Sequence, residues 1–309
     1  MGMETLVKAM EWSIIVLYNP DIKKLKDLIK QLNFQGSNVV LVNNGQKNPQ
    51  LLKLINEHVF FQQMTDNLGI AAAQNVGISF VIKMKAERFF LFDQDSEIPN
   101  NYISAMTSFN VPSNTGMLVP NVLDINTSRY LEPRIYEREN SKLTIKFPLK
   151  DSLKLEYRRA AKPIASGSYI FVDTINKVGG MREDFFIDAV DTDFSLRVLE
   201  KGYEIYRINN ISLSHKVGNK RKKEFFSKII FLSNHSPSRR YYIGRNNIWL
   251  WKLHFRSVKG ISKDVFLTLS SQLVYALLEK NRISKVTNLI KGITRGIISN
   301  PPVIQKEIR

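Results

Sequence analysis

The 309-residue sequence contains no cysteine, and it also lacks long apolar runs. Without thiols the chain can form neither a disulfide nor a zinc site with thiolate ligands. The most apolar late stretch, residues 265–278, falls well short of the roughly 20 residues that span a bilayer. The first 13 residues show no basic region followed by an apolar core, so we expect no secretory signal. These absences exclude a disulfide scaffold and predict that the chain is not an integral membrane protein.

Two common nucleotide-binding motifs are also absent. The first predicted strand, residues 13–18, is followed by Asn19-Pro20-Asp21 rather than by a glycine-rich turn, which removes the dinucleotide fingerprint. No GxxxxGK[ST] sequence occurs, which removes the P-loop. A nucleotide, if the protein binds one, must be held by a different arrangement of residues.

Positive charge is concentrated in the last third of the chain. Residues 207–309 hold 21 of the 45 basic residues but 4 of the 28 acidic ones, so they carry the whole net charge of +17. A polyanionic partner, such as a phosphorylated substrate, an anionic lipid surface or a nucleic acid, would explain this asymmetry. The alternative is a solvated basic face that aids solubility.

Short apolar strands alternate with amphipathic helices in the first half. The pattern predicts strands at 13–18, 39–42, 59–61 and 88–92, with helices at 21–32 and 70–84. Continuous apolar strands separated by helices indicate a parallel sheet covered on both faces. Ligands of such sheets bind beyond the carboxyl ends of the strands. The polar residues at those ends are Asn19, Asn43, Asn44, Asp93 and Asp95.

The fourth predicted strand ends in Asp93-Gln94-Asp95. Side chains two residues apart on an extended chain point to the same side, so these carboxylates would repel each other. A divalent cation turns the repulsion into coordination, and oxygen ligands together with substrate phosphates suit Mg²⁺ or Mn²⁺. A solvated strand end or a helix cap more commonly explains a bare Asp-x-Asp. The position at the carboxyl end of a buried strand favours a metal-bound phosphate instead.

The sequence resembles a known family in four segments, which follow the family's order. They are IIVLYNP (14–20), NLGIAAAQNVGI (67–78), FLFDQDSEIP (90–99) and FFIDAVDTDFSLR (185–197). Over roughly residues 12–220 the chain is similar to inverting family-2 glycosyltransferases of the GT-A fold, especially the bacterial rhamnosyltransferase-like branch. The resemblance implies an α/β GT-A domain at 1–220, Rossmann-like with a mostly parallel central sheet and helices on both faces. It implies a basic, aromatic-containing helical extension at 221–309.

The resemblance also implies a metal-dependent enzyme that moves a sugar, with inversion, from a nucleoside diphosphate to a glycan. We expect L-rhamnose from dTDP-L-rhamnose, with a UDP-sugar as the open alternative. The implied acceptor is carried on a polyprenyl diphosphate lipid during bacterial cell-surface polysaccharide synthesis. The protein would then be cytoplasmic and peripheral on the inner face of the cell membrane, with an anionic membrane surface and no nucleic acid as partner. An alternative of another class is a catalytically silent, basic protein that binds RNA or anionic lipid.

Residue roles for the donor follow from the same resemblance. Asp93 would contact the nucleoside and Asp95 the metal, with His215 as a further metal or diphosphate ligand. As a lone histidine, His215 is more often a packing or surface residue. Tyr18 and Asn43 would line the base pocket; Asn43 stands where the family usually has an acid, and an amide can still both accept from and donate to a pyrimidine. The other predicted donor-binding residues are Asn19, Asn67, Asn75 and Arg245.

An inverting transfer needs one carboxylate to take the proton from the acceptor hydroxyl. Asp191 aligns with the family's general base, and Asp188 is the reserve candidate. Three residues apart on a helix, these two would share a face, while Asp193 would turn away. Acids in a first helical turn are also favoured by the helix dipole alone, so a helix-end role stays open.

The tail interleaves aromatic residues with arginines at 236–256. This pattern fits nucleic-acid stacking or an interfacial membrane helix, and the resemblance favours the membrane. Residues 258–280 and 282–298 have the apolar spacing of two amphipathic basic helices. Packing on the core and attachment to a membrane explain that spacing equally well. The basic segment 216–228 could close over phosphates or remain a solvated loop.

Overall fold

The computed structural model describes residues 10–139, 142–148, 155–216, 218, 220–225 and 228–303. The basic segment 216–228 therefore lies partly outside the described residues. Strands and helices alternate through the first hundred residues, as predicted. All four predicted strands and both predicted helices of this part are present, with ends within two residues of the predicted ones.

The strands are β1 (Glu11–Leu17), β2 (Ser37–Asn43), β3 (Val59–Gln63), β4 (Arg88–Asp93), β5 (Thr115–Asp124), β6 (Arg129–Tyr130), β7 (Ile135–Glu139), β8 (Lys142–Lys146), β9 (Tyr157–Arg159), β10 (Ser168–Phe171), β11 (Glu204–His215), β12 (Arg221–Phe225), β13 (Lys228–Leu232) and β14 (Val258–Lys259). The helices are α1 (Ile22–Phe34), α2 (Pro49–Leu52), α3 (Ile70–Lys83), α4 (Tyr102–Thr107), α5 (Val172–Val178), α6 (Val190–Glu200), α7 (Pro237–His254), α8 (Ile261–Leu278) and α9 (Arg282–Ile298).

The main sheet has the strand order β3-β2-β1-β4-β10-β5-β11-β9, with β6 beside β5. Strands β1 to β4 pair in parallel, and so do β5 and β11. Among the described strands of this sheet, β10, between β4 and β5, and the short outer strands β6 and β9 run antiparallel to their neighbours. The predicted α/β fold with a mostly parallel sheet is thus confirmed, and the carboxyl ends of β1, β2, β4 and β11 meet at one edge.

Both faces of this sheet are buried, which is why its strands are continuously apolar. Alternate residues of one strand enter different cores: Ile14 packs on one face, and Ile15 and Leu17 pack on the other. Helix α1 covers the second face with Leu25, Leu28, Ile29 and Leu32, and Asp21 caps it by accepting from two backbone N–H groups of the first turn. The predicted helix and its cap are confirmed.

Strand β11 contains a long bulge. Ile208 pairs with Pro120 of β5, but the next paired residue, Ser212, already faces Asn121. Residues 209–211 are therefore extra on the β11 side. After the bulge the strand resumes its pairing and brings His215 to the same sheet edge as the end of β4.

The C-terminal helices pack on the sheet and on each other. Trp249 and Leu250 of α7 belong to the same core as Val258 and Val265. Helices α7 and α9 approach closely through glycines: a Cβ added at Gly292 would lie 2.0 Å from a backbone oxygen of α7. Helix α7 and the start of α8 are therefore part of the core, and the domain boundary at residue 220 remains a prediction. In the described part of the chain, no helix combines the length and apolarity that crossing a bilayer requires.

Candidate active site

A cleft of about 530 Å³ opens at the carboxyl edge of the sheet. Its walls come from the ends of β1, β2, β4 and β11, the start of α3, the turn before α6 and the first turn of α7. Polar residues line it from all of these parts. They are Tyr18, Asn44, Asn67, Gln74, Asp93, Gln94, Asp95, Ser166, Asp188, Asp191, His215, Lys216 and Arg239.

The acidic tip of β4 lies against His215. Ring nitrogen Nε2 is 3.2 Å from an Asp93 carboxylate oxygen, and Nδ1 is 3.3 Å from an Asp95 carboxylate oxygen. Burial alone would lower the pKa of His215, but the two carboxylates outweigh burial and raise it. Burial would raise the pKa of Asp95, but His215 outweighs burial and lowers it. The pKa of Asp93 is raised, by burial and by the charge of Asp95, against the opposing effect of His215. The three predicted residues thus meet in one cluster.

The cluster of Asp93, Asp95 and His215 offers candidate ligands for a divalent cation. In the described ranges, no three His, Asp or Glu side chains are arranged as a complete metal site. The donors themselves are suitable, because two carboxylates supply hard oxygen ligands and substrate phosphates can supply more. Moreover, Nδ1 of His215 is buried and makes no well-directed hydrogen bond, although Asp95 is close. The residues therefore fit Mg²⁺ or Mn²⁺ held together with a phosphate-bearing ligand.

Asp191 is the second residue of α6 and faces the cleft. Its carboxylate accepts a hydrogen bond of 2.9 Å from the backbone N–H of Thr192. Burial raises the pKa of Asp191 to about 6, and the nearby charges of Asp188 and Asp93 add to the effect. A carboxylate with this pKa is ionised at neutral pH yet binds a proton more readily than an ordinary one. That property suits a general base.

The turn before α6 has an unusual backbone. Phe186, Asp188 and Ala189 all have positive φ, between 62° and 64°, a region that residues other than glycine rarely adopt. One side chain holds the turn: the fully buried amide of Asn246 donates to the carbonyls of residues 185, 187 and 188 at 2.7–3.0 Å. Backbone strain of this kind is commonly found at functional sites. Asn246 was not predicted from the sequence, because no local sequence signal marks its role.

Asp188 is not where the helical spacing placed it. It precedes α6, so it does not share a helix face with Asp191, and Ala189 occupies the cap position without a side-chain cap. Instead, Asp188 accepts two hydrogen bonds, of 2.8 and 2.9 Å, from the guanidinium of Arg239. The helical prediction was wrong because the chain turns with positive φ at residues 188 and 189.

Asp193 turns away from the cleft, as predicted. It is fully buried and binds Arg197 at 2.7 Å and His254 at 3.2 Å. His254 also contacts Glu200 at 2.8 Å. Burial would lower the pKa of His254, but its bonds to Asp193 and Glu200 raise it to about 9. This buried network joins α6 to α7.

Other residues predicted to bind the donor, including Tyr18 and Asn43 of the predicted base pocket, are divided between the cleft and its surroundings. Tyr18 and Asn67 line the cleft, whereas Asn19 is exposed beside it. Asn43 is buried, and its amide is already bonded to Gln46, Gln63 and the backbone of Gly45. The next residue, Asn44, lines the cleft instead and donates to Asn67 at 3.0 Å. Successive residues of a strand face opposite ways, so only one of the two asparagines reaches the cleft.

Asn75 and Arg245 do not line the cleft. The Asn75 amide donates to the carbonyl of Met181 at 2.9 Å and accepts from its N–H at 2.8 Å. Arg245 donates to the carbonyl of Asp184 at 2.6 Å and lies over the ring of Trp249. Both side chains hold the segment that leads into the turn before α6. Neither side chain therefore lies in the cleft beside the acidic tip, where the prediction placed them.

Comparison with known proteins identifies a relative of similar length and solved structures of similar fold. No family model matches the sequence. The dTDP-rhamnosyl transferase RfbF of Shigella flexneri is 32% identical over 298 residues, which cover 93% of this chain and 95% of that protein. GalNAc-T7, solved with UDP, GalNAc and Mn²⁺, superposes with a TM-score of 0.55 at 15% identity, over 78% of this chain and 48% of its own. TarS of S. aureus gives 0.51 at 14% identity, over 94% and 44%. The chain thus spans about half of each solved structure, and that likeness shows the GT-A fold.

Proposed function

Because the chain belongs to the family of dTDP-rhamnosyl transferases, we propose that it transfers L-rhamnose from dTDP-L-rhamnose to a glycan, with inversion at the anomeric carbon. The observation that carries this proposal is the content of the cleft. One wall holds two carboxylates and a histidine that suit a metal-bound diphosphate, and another wall holds Asp191, a carboxylate with a raised pKa. A donor and an acceptor could meet between them.

The donor would lie against the acidic tip. Asp95 and His215 would hold Mg²⁺ or Mn²⁺, and Asp93 would contact the nucleoside. A divalent cation bound there would supply neutralisation of the charge that develops on a departing diphosphate. Tyr18 and Asn67 line the same cleft and would contact the base and ribose, with Asn44 as an addition from the structure.

Asp191 would act as the general base. It takes the proton of the acceptor hydroxyl while that oxygen forms its bond to the anomeric carbon. The bond from this carbon to the diphosphate oxygen breaks at the same time, and the diphosphate leaves with the electron pair. No covalent enzyme intermediate is needed. Asp188 is less suited to this role, because Arg239 already binds both of its oxygens.

Arg239 gives the cleft a fixed positive charge. Its pairing with Asp188 holds the guanidinium at the cleft wall, where the charges of Asp191 and Asp93 also act on it. Asp188 occupies Nε and one hydrogen of Nη2, so the remaining Nη hydrogens of the guanidinium would donate to phosphate oxygens. We include Arg239 among the groups that bind the donor diphosphate, with Asp188 as the residue that positions it.

The acceptor would be presented at an anionic membrane surface. Helix α8 and its C-cap contain two acidic residues, Asp264 and Glu279, and both are buried in ion pairs; α9 contains none. The exposed charged residues of this helix pair are all basic: Lys263, Lys280, Arg282, Lys291 and Arg295. Large apolar side chains are exposed between them: Phe266, Leu273, Leu277, Ile283, Ile290 and Ile297. Exposed apolar groups beside basic ones suit an interfacial helix pair, and a polyprenyl-linked glycan would be reached there.

A donor panel tests the proposal. Purified protein is incubated with Mn²⁺ or Mg²⁺ and with dTDP-rhamnose, UDP-glucose or UDP-galactose, and release of the nucleoside diphosphate is measured. We expect turnover of dTDP-rhamnose that EDTA abolishes and that Asp95→Asn strongly reduces. Asp21→Asn, which changes an exposed helix cap, is the control and should retain activity. Lack of binding and turnover of all donors would favour the silent binding protein instead.

A further inference from the structure

A second cavity, of about 660 Å³, lies beyond the cleft. It is bounded by the loop that follows β4, by α4 and the residues directly after it, by β9 and by the bulge of β11. Asparagine side chains line it from three of these parts: Asn101, Asn110 and Asn210. Two aromatic rings, Phe109 and Tyr157, complete the wall. None of these residues takes part in the donor site.

The bulge of β11 is firmly anchored and presents Asn210 to this cavity. Asn209 donates to the carbonyl of Leu155 at 2.6 Å and accepts from the buried Arg207 at 2.9 Å. Its backbone N–H also donates to the carbonyl of Glu156 at 2.9 Å. Asn210, between the anchored residue and the resumed strand, stays exposed. Bulges often re-aim a side chain next to an active site.

The cavity wall suits an uncharged, hydroxyl-rich ligand. Amides both donate and accept, which matches the two-way hydrogen bonding of sugar hydroxyls. Tyr157 is 38% exposed, and its ring is held edge-on by Phe109 and Tyr206 at 5.3 and 5.1 Å. A fixed aromatic ring offers an apolar surface at little entropic cost. In the described residues that line the cavity there is no Lys or Arg, and Glu156 would repel an anion.

The cavity and the donor site adjoin the same loop. Asp95 faces the cleft, and Pro99, four residues later, lines the cavity, so their Cα atoms are at most about 14 Å apart. Two backbone hydrogen bonds of 2.9 Å between Glu97 and Ser214 fix this loop to the strand that carries His215. A single extended glycan could therefore contact both places.

We propose that the cavity binds a neutral segment of the acceptor glycan, away from the sugar that receives the transferred unit. This assignment rests on the proposed function in one respect, namely that the bound glycan is the acceptor. Asn210 and Tyr157 make the decisive contacts, through hydrogen bonds and through the ring. The cavity then selects acceptors that are already several sugars long.

Binding is tested without any donor. Wild-type protein is applied to an array of immobilised neutral, uronic-acid and phosphorylated oligosaccharides. We expect retention on neutral oligosaccharides and not on the anionic ones. Asn210→Ala, at an exposed bulge position, and Tyr157→Ala should each weaken that retention by roughly tenfold, as expected when a few hydrogen bonds or a ring contact are lost. Asn176→Ala, an exposed asparagine on α5, is the matched control and should bind like wild type.

Two outcomes overturn the proposal: no neutral oligosaccharide is retained, or the retained ones bind both variants as tightly as wild type. The donor assay tests the proposed transfer function separately from the glycan-binding role of the cavity. If Asn210→Ala loses glycan retention but hydrolyses dTDP-rhamnose like wild type, the result supports both the cavity proposal and the proposed function. In transfer assays the same variant should raise KM for a long acceptor about tenfold and leave kcat unchanged. Glycan retention by a protein that turns over no donor would contradict the transfer function while supporting the cavity as a glycan site.

Discussion

Replacing His254 with Gln removes a buried cation from the interface between α6 and α7. His254 is 2% exposed, and its two ring nitrogens contact Asp193 and Glu200. Arg197 binds the second oxygen of Asp193, so this carboxylate keeps one cationic partner in the variant. The substitution therefore tests the charge of His254 without leaving Asp193 unpaired. Helix α6 carries Asp191 and α7 carries Arg239, so the network also joins two walls of the cleft.

The magnitude follows from the pKa of His254, which is about 9 in the folded protein against an ordinary value of 6.5. A shift of about 2.5 units corresponds to ~3 kcal/mol at about 1.4 kcal/mol per unit. Because the folded pKa is the higher one, this contribution is fully present below pH 6.5. It is lost progressively as the pH rises to about 9.

Urea unfolding at half-unit steps from pH 6 to 9.5 measures the effect. The free energy of unfolding of the wild type should fall by about 3 kcal/mol across this range relative to that of His254→Gln. His58→Gln, at a half-buried histidine outside this network, is the control and should follow the wild type. If wild type and His254→Gln change in parallel with pH, His254 is not charged in the folded protein, and the buried ion-pair network is misassigned.

Two further predictions concern the C-terminal helices. Gly292→Ala should lower the free energy of unfolding by about 1–3 kcal/mol or more, because the new Cβ would meet a backbone oxygen of α7 at 2.0 Å. Ser284→Ala, on the same helix, is the control in thermal unfolding. Equal melting temperatures of Gly292→Ala and wild type would argue against the close helix contact. The double variant Ile283→Ser, Ile290→Ser should sediment with phosphatidylglycerol vesicles at least tenfold more weakly than wild type, since each exposed isoleucine contributes roughly 1.5–3 kcal/mol when buried. Phe34→Ser, at an exposed apolar residue of α1, should sediment like wild type, and unchanged sedimentation of the double variant would contradict membrane attachment.

Much of the sheet was predictable because its signals are local. Each parallel strand is a short apolar run whose residues are buried on both faces of the sheet, and Asp21 marks the start of α1. The acidic tip was predictable for a related reason: charges at the end of a buried strand need a partner. That partner proved to include His215, which lies more than a hundred residues later and reaches the tip through the pairing of β11 with β5.

The rest depends on contacts that no local pattern encodes. The positive φ of Asp188 has no glycine to announce it, and the turn is held by Asn246, 58 residues further along. Because the sequence does not reveal that turn, the spacing of Asp188 and Asp191 indicated a regular helix. The pairing of Asp188 with Arg239 was therefore not predicted. The bulge of β11 likewise carries no glycine or proline signal.

Apolar spacing alone does not show which parts of the tail pack on the core and which stay exposed. Trp249 lies in the segment 236–256, where aromatic residues are interleaved with arginines, and Ile290 lies at an apolar position of the second predicted amphipathic helix. The structure places Trp249 in the core and leaves Ile290 exposed, because α7 lies against the sheet domain and α9 lies outside it. Spacing identifies the apolar side of a helix, but it does not identify the surface that covers that side.

The central claim is that Asp191 takes the proton of the acceptor. The most direct measurement is kcat/KM for transfer from dTDP-rhamnose, followed from pH 4.5 to 8 in wild type and in Asp191→Asn, together with the Kd of the donor. Because the pKa of Asp191 is about 6, the wild-type value should fall about tenfold per pH unit below that point. Asp191→Asn should lose about 10²–10⁴-fold in kcat/KM and lose this acid limb, with an unchanged donor Kd. An Asn variant that transfers sugar within tenfold of wild type, or that keeps the same acid limb, would contradict the account.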